Sequence, residues 1–316
     1  MPLPPVLAGR LRLPAVAAPM FLVSGPDLVV ETCRAGVLGT FPALNQRTTA
    51  GFAGWLDDIA ARLHGVAGAA PFGVNLIVHR SNPRLEADLA VTVAHRVPLV
   101  ITSLGAVSEV VEAVHAYGGL VFHDVISRRH AEKAAAAGVD GIIAVSAGAG
   151  GHAGTLNPFA LVAEIRSVFA GTILLGGALS TGAHIAAAQM LGADLAYLGT
   201  RFIATRESLA PEGYKAMLVA GQAADIVYTD RVSGVSANFL RPSLMAAGLD
   251  PDHLPPHGDL DMAGEARAWK SMWSAGHGVG AIADVPGAAA LCDRLAAEYD
   301  QAAAAFCAGR GLTPGR

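Results

Sequence analysis

The sequence predicts an α/β fold, a closed parallel (β/α)8 barrel (TIM barrel) with a small helical insertion after its eighth strand. Eight short apolar, β-rich runs alternate with segments of helical composition along the first 200 residues. Polar or glycine residues recur at the C-terminal ends of these runs, where (β/α)8 enzymes assemble their active sites. A doubly wound sheet would instead carry a GxGxxG turn after its first strand, and the sequence has no such turn there.

Each predicted strand is a short run of apolar residues. Several of the helices between them begin at Ser, Thr or Pro and end at Gly, as helix caps require. The strands are predicted at 15–20, 37–41, 72–78, 99–103, 120–125, 141–146, 172–177 and 195–200. The helical segments between them include 108–118, 127–138, 158–171 and 180–192. Such continuous apolar strands are typical of a parallel sheet that is buried on both faces.

The strand–helix rhythm divides the chain into one barrel and one insertion. Residues 1–210 and 269–316 are predicted to form the barrel, with a final amphipathic helix over 286–306 that packs back on it. Residues 211–268 contain helix-like pieces and a polar stretch rich in Pro and His. We interpret this segment as a helical insertion on the substrate side of the barrel.

Composition excludes several classes of function. The 316 residues are 53% hydrophobic and 15% charged with a formal net charge of −4, and no Lys/Arg cluster stands out, which argues against nucleic acid or anionic membrane as partner. No apolar run reaches the roughly 18 residues of a membrane span, and the first residues do not resemble a secretory signal. Three widely separated cysteines fit neither a disulfide framework nor a zinc site. We therefore expect a cytoplasmic protein without a metal.

The densest chemical signal is the segment AGAGGHAG at 147–154, directly after the sixth strand. Gly150 and Gly151 leave room for a ligand to approach the backbone, and His152 can move protons near neutral pH. An isolated histidine in a flexible loop is the alternative. The position at a strand's C-terminal end favours His152 as a general base.

Two glycine sites follow the seventh and eighth strands. Gly176 and Gly177 precede a helix that begins near Ser180, and Gly199 precedes Thr200. In barrels these two loops often bind phosphate through backbone N–H groups and a helix N-terminus. Glycine also ends strands for steric reasons alone, but the pair together predicts a cofactor that carries phosphate.

Other strand-end residues leave both a functional and a structural interpretation open. Asn75 could hydrogen-bond a cofactor ring or satisfy a loop, and His123 could contact the cofactor or cap its strand. Asp124 is interpreted as structural. Ser274, before the sequence GHGVG, could close the pocket or begin the last helix.

The motifs resemble those of the nitronate monooxygenases, formerly called 2-nitropropane dioxygenases, over almost the whole chain. They are AAPM at 17–20, PFGVNL at 71–76, VFHDV at 121–125, GVDGIIAVSAGAGGHAG at 138–154, LLGGALSTG at 174–182, GADLAYLGTRFIATRES at 192–208 and SAGHGVGAI at 274–282. Flavin enoyl-ACP reductases and NADH:quinone reductases share the GGH and GTRF blocks. The chain departs from some members at Asp124, where they have Lys, and at Ala147 and Ala149, where Cys or Glu often stands.

The resemblance implies a flavin mononucleotide (FMN) enzyme that oxidises nitronates or nitroalkanes with O2, with His152 as catalytic base. It implies FMN contacts from Met20, Asn75, Gly176, Gly177, Gly199 and Thr200, and a loop near the flavin that contains Ser274 and Gly276. We also predict cofactor contacts from other strand-end and loop residues: Pro19, Ser103, His123, Gly150 and Gly151. Association into a homo-oligomer stays open.

Three other functions stay open as alternatives. The first is an NAD(P)H-dependent flavin reductase that acts on quinones or an enoyl thioester. The second is a flavin-binding protein without catalysis, and the third is an isomerase or lyase on a barrel without flavin.

Overall fold

Eight parallel strands close into a barrel in the computed structural model of the chain, which describes residues 3–79, 81–105, 108–256 and 270–309. The barrel strands are β1 (Ala15–Ala17), β2 (Leu38–Pro42), β3 (Gly73–Ile77), β4 (Leu99–Ser103), β5 (Leu120–Val125), β6 (Gly141–Val145), β8 (Thr172–Gly176) and β9 (Leu195–Leu198). The predicted barrel is confirmed, and all eight strands lie within two residues of their predicted starts. β1 stops three residues early, just before the segment that contains Pro19, which has no N–H to donate.

Helices alternate with the barrel strands and continue in the segment after the last of them. They are α1 (Pro26–Arg34), α2 (Thr49–Leu63), α3 (Leu85–Ala94), α4 (Ser108–His115), α5 (Arg128–Ala136), α6 (Pro158–Arg166), α7 (Gly182–Met190), α8 (Thr200–Ile203), α9 (Glu212–Ala220), α10 (Arg241–Ala246) and α11 (Ala288–Gly309). Ser127, Asn157 and Thr181 cap α5, α6 and α7 by accepting hydrogen bonds from backbone N–H groups of the first turn. α11 packs against α7 and α1, as its amphipathic sequence predicted.

The barrel interior is filled by apolar side chains, so the lower part of the barrel is closed. Leu99 and Ile101 of β4 and Leu120 and Phe122 of β5 belong to this buried cluster. Because side chains alternate along a strand, the next residues with the same orientation are Ser103 and Asp124. The interior therefore changes from apolar to polar at the C-terminal ends of the strands.

The segment after β9 differs from the expected helical insertion because it also contains two strands, β10 (Ile226–Thr229) and β11 (Ala237–Leu240). β10 and β11 pair antiparallel, and β11 pairs antiparallel with β7, the two residues Gly151–His152. The part of the predicted insertion at 257–268 lies outside the described residues. The insertion is thus joined by a sheet to the loop that carries His152.

Candidate functional site

One cavity of about 1580 Å³ opens at the C-terminal ends of the barrel strands and brings the predicted site residues together. Its lining includes His152 and every predicted cofactor contact: Pro19, Met20, Asn75, Ser103, His123, Gly150, Gly151, Gly176, Gly177, Gly199, Thr200, Ser274 and Gly276. These residues come from the ends of many different strands, which is how a (β/α)8 fold assembles a site.

The loops after β8 and β9 present backbone donors. The N–H groups of Gly177, Leu179, Gly199 and Thr200 have no hydrogen-bond acceptor within the described part of the chain. Gly177 has φ +139°, and a Cβ there would lie 2.1 Å from Ser146 Oγ, so the loop requires glycine. Unpaired N–H groups on two adjacent loops match the acceptor oxygens of a phosphate.

The start of α7 contributes less to this anion site than its position predicted. Glu298 Oε2 already accepts from the N–H of Gly182 at 2.7 Å, and Thr181 Oγ1 accepts from the N–H of His184 at 3.2 Å. His184 Nδ1 accepts from the N–H of Ser180. The protein itself thus uses the N–H groups of Ser180, Gly182 and His184 at the start of α7.

His152 is held on a strand and not in a free loop. β7 is fixed from two sides: β11 pairs with it, and Ser274 Oγ accepts from the N–H of Gly151 at 2.5 Å. Ser274 Oγ donates in turn to the carbonyl of Asn238, and Asn238 Nδ2 donates to the carbonyl of Ala149 at 2.6 Å. The Ser274 hydroxyl thus both accepts and donates a hydrogen bond within the protein. Its effect on the site is to hold the loop that carries His152.

Gly276 and Thr200 join the same loop system. The N–H of Gly276 donates to Thr200 Oγ1 at 2.9 Å, and a Cβ on Gly276 would lie 2.5 Å from the carbonyl oxygen of Gly148. Glycine permits this close backbone approach between the 147–151 and 274–277 loops. The hydroxyl hydrogen of Thr200 can still be donated to a ligand.

We expect Asn238→Ala to destabilise the fold by about 1–3 kcal/mol, because it leaves the carbonyl of Ala149 without its donor in a buried place. Urea unfolding measures this change in the free energy of unfolding. Tyr228→Phe is the matched control, because the Tyr228 hydroxyl donates to the neighbouring Ala153 carbonyl from a side chain that is 43% exposed. Equal losses for the two variants would show that Asn238 is not the anchor of this loop.

The floor of the cavity carries a chain of hydrogen bonds that sequence reasoning missed. Asn75 Nδ2 donates to Ser103 Oγ at 2.9 Å, and Ser103 Oγ donates to Asp124 Oδ2 at 2.5 Å. Asp124 lines the cavity, so its interpretation as a purely structural residue is incomplete. The sequence did contain a signal for this position: side chains alternate along a strand, so Asp124 has the same orientation as Leu120 and Phe122.

Burial sets the protonation of the groups on this floor. It raises the pKa of Asp124 to about 6, against the opposing effects of the Ser103 hydrogen bond and of nearby His152. It lowers the pKa of His123, whose Nδ1 lies 2.8 Å from Thr102 Oγ1, to about 4. Burial and the neighbouring Asp124 hold the pKa of Tyr197 well above its usual value. At neutral pH His123 and Tyr197 are therefore uncharged.

The insertion supplies part of the cavity wall. Tyr214, Tyr228, Val235 and Ser236 line the cavity. The Tyr214 ring stacks on Trp273 with centroids 5.0 Å apart, and its hydroxyl donates to the carbonyl of Ser274. These contacts couple the insertion to the loop that fixes His152.

Neither a metal cluster nor a membrane span is found in the chain as described. No group of three or more His, Cys, Asp or Glu residues at 3–79, 81–105, 108–256 and 270–309 is arranged to hold a metal ion. No helix in these ranges has the length and apolar character needed to cross a membrane.

Comparison with known proteins identifies similar chains. The sequence profile of the nitronate monooxygenase family matches residues 8–253. A nitronate monooxygenase of Paraburkholderia phytofirmans is 29% identical over 279 residues, which cover 75% of this chain and 76% of that protein. The solved structure of a nitroalkane oxidase from Streptomyces ansochromogenes superposes with a TM-score of 0.79 at 27% identity and covers 95% of this chain and 99% of its own.

A relative with a different name is equally similar in sequence. A hydroxy-methyl-oxo-octahydro-indene carboxyl-CoA dehydrogenase of Mycobacterium tuberculosis is 28% identical over 237 residues. The match covers 73% of this chain but 64% of the dehydrogenase, so this chain spans less than two thirds of that relative.

Proposed function

Because the chain belongs to the nitronate monooxygenase family, we propose that it is an FMN-dependent oxidoreductase which converts nitronates and nitroalkanes with O2 to carbonyl compounds and nitrite. The observation that carries the proposal is the placement of His152 in one cavity with the unpaired N–H groups after β8 and β9. A base and an anion site in one cavity are what a phosphate-bearing cofactor and a carbon-acid substrate require.

The residues of the cavity fit FMN. The N–H groups of Gly177, Leu179, Gly199 and Thr200 would hold its phosphate, and Met20 and Asn75 line the part of the cavity where its ring would be bound. When bound, FMN supplies the electron acceptor and the reaction with O2. The protein binds and orients the reactants and excludes water.

His152 would act on the substrate before any electron transfer. Nitroalkanes are carbon acids, so an imidazole nitrogen of His152 can accept the proton from the carbon that bears the nitro group. The pairing of β7 with β11 and the bond of Gly151 to Ser274 fix the backbone that carries this ring. Rigid support of the base is worth several powers of ten in rate when it holds the ring at the reacting carbon.

The cofactor is tested directly by purification. We expect the protein to be yellow, with a flavin absorbance spectrum, and heat or acid treatment to release FMN because no covalent link is proposed. Chromatography of the released pigment separates FMN from other flavins. A colourless protein that fails to bind added FMN would contradict the proposal.

A second candidate is an NAD(P)H-dependent flavin reductase or dehydrogenase with a larger substrate. One observation favours it: a relative bears the name of a carboxyl-CoA dehydrogenase. Anaerobic mixing with NADH or NADPH distinguishes the two functions. Rapid bleaching of the flavin, with no turnover of nitro compounds, would favour the reductase.

A further inference from the structure

One half of the cavity wall carries apolar side chains from five successive barrel strands. They are Phe21 after β1, Leu44 after β2, Ile77 at the end of β3, Leu104 after β4 and Ile126 after β5. All five line the cavity. Because the five strands are neighbours in the barrel, these residues form a continuous apolar arc.

The apolar arc does not belong to the core of the protein. Among the described residues, no hydrophobic core cluster includes its members or has them packed against it. Four of the five side chains are half-buried, and Ile126 is 41% exposed. Apolar surface that the core does not use is typical of a groove that binds an apolar ligand.

Leu104 is held in the apolar arc in a strained conformation. Its φ is +64°, in the left-handed region that bulky side chains rarely adopt. The carbonyl of Ser103 accepts from the N–H of Val78 at 2.9 Å, and a Cβ on Gly105 would lie 2.6 Å from the carbonyl oxygen of Val78. Both neighbours of Leu104 are therefore fixed against the end of β3. Strained residues that the surrounding structure holds in place are characteristic of functional sites.

The apolar arc lies across the barrel from the proposed phosphate site and reaches the base. In the closed ring of eight strands, β3 is opposite β8 and β4 is opposite β9. At the other end of the arc, a Cβ on Gly154 would lie 3.0 Å from Ile126 Cβ, two residues after His152. The charged side chains that follow in the lining, Arg47 and Lys133, are exposed. They can stay in water while the arc contacts a ligand.

We propose that the apolar arc binds the hydrocarbon chain of the substrate and so selects long-chain nitro compounds over nitroethane and other short ones. This inference rests on the proposed function. The carbon that bears the nitro group would lie at His152, and the chain would extend along the arc. Removal of apolar surface from water favours binding by about fourfold for each buried methylene group, so a long chain gains most.

A series of unreactive carboxamides tests the subsite on the flavin-containing protein without turnover. Isothermal titration calorimetry with butanamide, hexanamide and octanamide should give an affinity that rises about fourfold for each added methylene until the arc is filled. Leu104→Gly should lower the affinity for octanamide about five- to tenfold and leave that for butanamide within about twofold. Glycine accepts the positive φ, so this variant removes the side chain without straining the loop.

A second arc variant and a matched control accompany it. Ile126→Ser removes another member of the apolar arc and should act in the same direction. Phe159→Ser removes a side chain that is 71% exposed on α6 and does not line the cavity, so it should change neither affinity. Urea unfolding of each variant separates lost binding from lost stability.

Turnover then relates the subsite to the reaction. We expect kcat/KM for 1-nitrooctane and its nitronate to exceed that for nitroethane and its nitronate about tenfold or more, with a smaller difference in Leu104→Gly. An affinity that does not depend on chain length, or that both arc variants leave unchanged, would overturn the inference while the proposed function stands. If octanamide binds as expected but no nitro compound is oxidised, the subsite for an apolar chain is supported and the nitro-compound function is overturned.

Discussion

Replacing His152 with Asn is expected to lower the rate of nitroalkane oxidation by about 10²–10⁴, the usual cost of removing a general base. A nitronate arrives already deprotonated, so its oxidation should fall far less. Steady-state rates with 2-nitropropane and with its preformed nitronate measure the two effects in one variant. The difference between the two losses isolates proton abstraction from carbon.

His123→Asn is the matched control for this comparison. Both histidines line the cavity, but His123 has a pKa of about 4 and is engaged with Thr102, so it is a poor base at neutral pH. We expect it to affect both substrates alike. Flavin content must be equal in all variants, and equal losses on both substrates for His152→Asn would assign His152 to substrate binding instead.

Replacing Gly177 with Ala is expected to weaken FMN binding at least tenfold. The residue has φ +139°, where a side chain costs about 1–3 kcal/mol, and the new Cβ would lie 2.1 Å from Ser146 Oγ. The loop after β8 must move to accept it, which displaces N–H groups proposed to bind phosphate. Fluorescence titration of the apoprotein with FMN measures the affinity, and Gly177→Val should be more severe.

Two further variants separate lost affinity from lost stability. Gly192 follows α7 and does not line the cavity. Gly192→Ala also introduces a side chain at positive φ, but the new Cβ would contact only Val162, at 3.8 Å. It should destabilise the protein and leave FMN affinity unchanged. Ser146→Ala combined with Gly177→Ala should recover part of the affinity by removing the clashing hydroxyl. If Gly177→Ala binds FMN as tightly as the wild type, the anion site after β8 and β9 is wrong.

The barrel could be predicted because its signals are local. Each strand is an apolar run that ends in a polar or glycine residue, and hydrophobic burial acts on such a run wherever it lies in the sequence. The two strands of the insertion were missed although IVYT at 226–229 is a β-rich run of four residues. Helix-like segments flank this run and each strand is only four residues long, so the sequence pattern predicted a helical segment.

The sequence by itself determined the eight-stranded barrel and the set of residues that line one cavity, including His152 and the glycines after β8 and β9. Only the tertiary structure decided how these residues are held and what charge the cavity floor carries. Gly151 is bonded to Ser274, 123 positions away in the chain, and Asp124 meets Ser103 from a neighbouring strand. Such contacts depend on strand register and on loops that meet after folding, and no local pattern of residues encodes them. Burial then shifts the pKa of Asp124, because desolvation acts on a group only when the chain has closed around it.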